Sequence, residues 1–74
     1  MNYNYDKVVG KRIRALRMKK GITQDALAAK LQVLGCDISR AAISKIESGA
    51  RHIYLYELKF IKQVLNVDYN DLLK

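Results

Sequence analysis

Residues 23–31, TQDALAAKL, and residues 38–49, ISRAAISKIESG, decide the fold of this 74-residue chain. Each opens on a hydroxyl residue, Thr23 or Ser39, whose side-chain oxygen can accept from the unpaired amides of a first helical turn. Behind Thr23, Leu27, Leu31 and Leu34 recur at i, i+4 and i+7, one face of a helix. Behind Ser39, Ala42, Ile43 and Ile46 form a second apolar face, and Arg40, Ala41, Ser44 and Lys45 fall on the opposite one. Gly35 and Gly49 stand where these helices should stop. Ala28 is small enough to let another helix approach closely. Two short amphipathic helices, joined through Cys36-Asp37-Ile38, are therefore expected at the centre of the chain.

The flanks read the same way. A first helix is predicted from Lys7 to Lys19, capped by Asp6, with Val9, Ile13 and Leu16 as its stripe and Gly21 as its stop. A fourth spans Tyr54 to Leu65, with Leu55, Leu58, Ile61 and Leu65 inward. A short fifth is capped by Asp68, with Asp71 three residues on in a capping-box arrangement, and is anchored by Leu72 and Leu73. Residues 1–5 read as a loose arm. No proline and only four glycines leave too little turn punctuation for a sheet, so the expectation is one all-α domain over residues 1–74.

Composition narrows function. The net charge is +7, and residues 11–20 (KRIRALRMKK) hold six of the fourteen Lys and Arg residues, a distribution suited to a polyanion. One cysteine and one histidine can build neither a disulfide nor a zinc site, and a lone thiol suits a reducing compartment. Cys36 itself reads as inert, oxidisable only if exposed. No glycine-rich phosphate loop, paired-carboxylate cluster or nucleophile–base constellation appears, so neither an enzyme nor a metal or cofactor is expected. No run approaches the ~18 apolar residues of a membrane helix. The five tyrosines are scattered in a way that predicts core edges, an arm and a partner contact rather than one stacking platform.

The tandem helices have the pattern of a helix-turn-helix. The chain from Gly10 to Leu73 resembles the Cro/phage-repressor (XRE-type) helix-turn-helix family, through RIRALRMKKGITQDALA, ISRAAISKIESG and LNVDYNDLL in order. The resemblance implies a compact five-helix, lambda-repressor-like fold. It departs in one respect: Gln32 to Asp37 lengthens the connection between helices 2 and 3, and most of the excess reads as an extra turn on helix 2 through Leu34.

By the same resemblance helix 3 reads the major groove of double-stranded DNA. Arg40, Ala41, Ser44 and Lys45 face bases: the two cations suit guanine O6 and N7, and the alanine methyl suits thymine. Thr23, Gln24, Ser39, Arg51 and His52 face phosphates, with Gln24 also bracing helix 3. Arg17 and Glu47 match a pair that ties helix 1 to the end of helix 3 as a structural salt bridge. Helix 1 cations such as Arg12 add long-range attraction. The implied activity is that of a cytoplasmic, nucleoid-associated regulator of bacterial or phage type, acting as a repressor. One helix reads only a few base pairs, so a homodimer on a palindrome is implied, with helix 5, Tyr54, Tyr56, Tyr69 and Leu73 as its surface. The competing expectations are an antitoxin-like module that masks a protein partner, with or without DNA binding, and RNA binding through the same basic face.

Overall fold

The computed structural model describes residues 5–74. Five helices follow one another: α1 (Tyr5–Lys19), α2 (Gln24–Val33), α3 (Arg40–Ser48), α4 (Leu55–Leu65) and α5 (Tyr69–Leu73). Tyr5 belongs to α1, so the expected arm is shortened to residues 1–4, which lie outside the described residues. Asp6 consequently sits inside the first turn, where its charge still faces the unpaired amides, and is not the cap.

The expected caps of the central helices are in place. Thr23 Oγ1 accepts from Ala26 N–H at 3.0 Å and Ser39 Oγ accepts from Ala42 N–H at 3.1 Å. Asp68 N–H donates to Asp71 Oδ2 at 2.9 Å at the head of α5. Leu58, Ile61 and Leu65 of α4 join Val9, Ile13, Leu27, Leu31, Ile43, Ile46 and Leu72 in one buried cluster. α3 packs on α1 and α2, α4 on α2 and α1, and α5 on α1.

Gly10 lies where α1 crosses α3. A Cβ there would collide with the carbonyl oxygen of Ile46 and stand 2.9 Å from that of Glu47, so only glycine lets the backbones meet. The lengthened connection is resolved by the end of α2. Gly35 takes a φ of +94°, and the amides of Gly35 and Cys36 turn back to Gln32 O and Leu31 O at 3.0 and 2.9 Å. That pair of bonds satisfies carbonyls which a helix end otherwise leaves open, and the positive φ favours a residue without a Cβ.

Three apolar expectations change. Leu34 follows the last residue of α2 and is exposed, so it does not complete the stripe; Cys36 and Ile38, expected as mere connector, are buried in the core instead. The chain beyond Gly35 is non-helical, so the helical spacing that pointed to Leu34 no longer applies. Gln32 Nε2 donates to Ile38 O at 3.2 Å and pins this segment to α2. At the other end Leu55 and Leu73 are exposed, the former by 77%, because the packed faces of α4 and α5 are already filled by Leu58 and Leu72. No helix among the described residues is long and apolar enough to cross a membrane.

Candidate nucleic-acid interface

The orientation of α3 rests on one carboxylate. Glu47 is buried at the C-terminal end of the helix and accepts from Arg17 Nε at 2.7 Å and Arg17 Nη2 at 3.0 Å. Gln24 Nε2 donates to the same group at 3.0 Å. Arg17 Nη1 also donates to Ile22 O at 2.8 Å. The side chains of Arg17 and Glu47 are 10% and 3% exposed, so the pair lies in the low-dielectric interior, where hydrogen-bonded charges are held firmly. The hydrogen bond to Glu47 raises the basicity of Arg17, against the opposing effect of burial. α1, α2 and α3 are thus bolted together at one point.

With its inner face committed, α3 shows Arg40, Ala41, Ser44 and Lys45 to solvent, and all four are exposed. Arg40 Nε lies 3.6 Å from Asp25 Oδ1, with both side chains mostly in water, so this ion pair is weak and readily exchanged. Thr23 and Ser39 are exposed at the helix heads, each with its hydroxyl oxygen accepting from backbone. Each hydroxyl keeps its own O–H to donate. Gln24 is half-buried. Its amide carries two N–H bonds, and one of them serves Glu47.

Arg51 is placed differently from a plain surface cation. Its Nη1 and Nη2 donate to Glu57 Oε1 and Oε2 at 2.9 and 3.0 Å, and Nη1 also reaches His52 O at 2.9 Å. Glu57 is buried at the start of α4 and also accepts from Tyr54 N–H at 3.0 Å. Burial by itself would push the Glu57 carboxyl up. The bonds from Arg51 and the Tyr54 amide outweigh it and hold the group below its ordinary range. What Arg51 has left for a phosphate is its Nε–H and its charge. His52 is exposed, with Nδ1 3.0 Å from Asp6 Oδ1.

Sequence reasoning missed Glu57 because a glutamate in a first helical turn reads as dipole compensation. A capping-box pattern does not announce that an arginine six residues upstream completes it. It also read the tyrosines as scattered. The structure stacks Tyr54 and Tyr56 at 6.1 Å between ring centroids and sets His52 edge-on to Tyr54 at 5.6 Å. Cys36 is buried, and that burial, with nearby Glu57 and Asp37, pushes its thiol up and keeps it unreactive. Among the described residues no cluster of three His, Cys, Asp or Glu side chains is arranged to hold a metal.

Comparison with known proteins agrees with this geometry. A family profile described as helix-turn-helix (HTH_3) matches residues 13–72. The control protein C.BamHI of Bacillus amyloliquefaciens is 34% identical over 74 residues, covering 99% of this chain and 85% of that protein. The restriction-modification controller protein C.AhdI from Aeromonas hydrophila superposes with a TM-score of 0.82 at 26% identity, over 97% of this chain and 99% of the other. The DNA-binding domain of BldD from S. venezulae superposes with a TM-score of 0.79 at 22% identity, over 97% and 100% of the two chains. That last likeness is one of fold.

Proposed function

We propose, from the premise that this chain belongs to the XRE-type helix-turn-helix family, that it regulates transcription by reading double-stranded DNA with α3 in the major groove. One observation carries the reading: the outward face of α3 is uncovered, short-chained and cationic, while its inner face is fixed by the Arg17–Glu47–Gln24 bonds. A recognition helix needs both, since bases are discriminated only by side chains held in register. Arg40 and Lys45 donate to guanine edges, Ser44 reaches a base or a neighbouring phosphate, and Ala41 meets a thymine methyl. Thr23, Ser39 and the free amide N–H of Gln24 sit at the flanks of α3 and donate to phosphates, as do His52 and the Arg51 Nε–H beyond its far end.

The working unit is a homodimer on a palindromic site with half-sites ~34 Å apart. Support comes from an apolar groove of about 840 Å³ lined by Leu55, Tyr56, Leu58, Lys59, Tyr69 and Leu73. Exposed large apolar side chains gathered in one place favour a self-complementary contact. The similarity to proteins described as control proteins favours regulation over a purely architectural role. Repression follows from occupancy of a promoter.

Selection of bound duplexes from a random pool tests the reading. A palindromic consensus is expected, and Arg40→Ala should relax one position in each half-site by ~1–3 kcal/mol. Equal affinity for selected and random duplexes would remove the claim of sequence reading.

A further inference from the structure

The exposed cations of α1 are not evenly spread. Lys7, Lys11, Arg14 and Met18 fall at i, i+4, i+7 and i+11. At roughly 100° per residue they lie within about 60° of arc. Arg12 and Lys19 lie more than roughly 100° around the helix, on the opposite flank of its buried face. Both groups carry positive charge at the surface, but only one of them adjoins α3. Arg14 lines a polar recess of about 300 Å³ together with Arg17, Gln24, Ser44, Glu47 and Ser48. Lys11 and Lys7 line the adjoining recess with Val8, Glu47 and Ser48. The outward face of α3, through Ser44 and Ser48, therefore runs without a break onto the Lys11–Arg14 edge of α1.

The one carboxylate in both recesses is Glu47, and it is already neutralised by Arg17. Lys11 and Arg14 are exposed, and neither makes a hydrogen bond or ion pair with the described residues. A helix lying in the major groove is bracketed by phosphate backbones, so whatever borders it meets phosphate oxygens.

We propose that the Lys11–Arg14 edge of α1 is a backbone-docking rail that seats on the phosphates bordering the groove occupied by α3. The inference rests on the reading of α3 given above. On it, the cations of α1 divide into two that touch DNA and two, Arg12 and Lys19, that contribute only to the general field.

The test compares two variants of equal charge. Affinity of the full chain for its selected duplex is measured over a range of salt concentrations, for the parent, Lys11→Ala with Arg14→Ala, and Arg12→Ala with Lys19→Ala. Each lost phosphate contact removes ~0.9 from the slope of log K against log salt, so the first pair should flatten it by roughly 1.8. The second pair should leave it within about half a contact of the parent. Ethylation interference should lose its signal at the phosphates beside each half-site in the first pair alone. Should the first pair melt early, Lys11→Gln with Arg14→Gln carries the same comparison.

Equal flattening by both pairs, or by neither, overturns the rail while leaving duplex recognition by α3 intact. Absence of duplex binding by the parent chain removes the premise and the rail with it.

Discussion

Glu47→Ala is the perturbation that probes the site most directly. The carboxylate accepts three hydrogen bonds, at 2.7 and 3.0 Å from Arg17 and 3.0 Å from Gln24. Its removal strands a guanidinium that is 10% exposed, with Ile22 O as its remaining partner. Breaking one side of a buried pair costs ~3–5 kcal/mol, whereas an exposed pair is worth ~0–1. Because Arg17 keeps one bond and a little water access, the lower end applies, about 3 kcal/mol. For a domain of this size that lowers Tm by roughly 12–24 °C.

Urea titrations followed by circular dichroism should give this loss. They should also show Arg17→Met with Glu47→Leu to be less damaging than either single change, since no charge is then left buried alone. DNA affinity should fall further than unfolding explains, because α3 loses its link to α1 and α2. A single-variant cost below about 1 kcal/mol would place the pair in the exposed class and refute the reasoning. So would a coupling energy within about 0.5 kcal/mol of zero, the usual additivity error.

Gly10→Ala should destabilise even though alanine is the better helix former by ~0.5–1 kcal/mol. The new methyl meets carbonyl oxygens of α3 that cannot swing aside, so a net loss of ~1–3 kcal/mol is expected in thermal melts, with DNA affinity lowered as α3 is pushed outward. The depressed Glu57 carboxyl fixes the sign of a pH effect. Its stabilisation is complete above the ordinary value of 4.5 and is lost as pH falls through the lower folded value. Melts across the acid range should therefore steepen in the parent and flatten in Glu57→Gln, which should also be less stable at neutral pH. Leu55→Asp with Leu73→Asp should leave Tm of the protomer nearly unchanged, because both side chains are exposed, yet shift sedimentation from dimer to monomer and weaken binding to the full palindrome far more than to a half-site. Unaltered sedimentation would exclude this groove as the contact.

The helices themselves were legible because their signals are local. Ser39 caps the turn that follows it, and Gly49 closes the helix that precedes it, within a few residues of chain. Periodicity failed only where the chain stopped being helical. Leu34 obeyed the helical spacing, but Gly35 ended the helix, and the core place it was expected to fill went to Cys36 and Ile38. Leu55 and Leu73 had the right chemistry for a core whose places were already taken. Arg17 and Glu47, thirty residues apart, were paired by family likeness and not by any pattern in the residues.

Charge, caps and apolar spacing, read alone, determined that this chain is a basic bundle of five short helices with a polar, cationic face on the third. These properties act through the backbone over one or two turns, so they are written consecutively. Tertiary structure decided which backbones touch at Gly10, that Gln24 and Arg17 converge on one carboxylate, that Arg51 is shared with Glu57, and which cations of α1 border α3. Those facts depend on helices from distant parts of the chain meeting at set angles, and burial then turns each meeting into a strong or a forbidden contact.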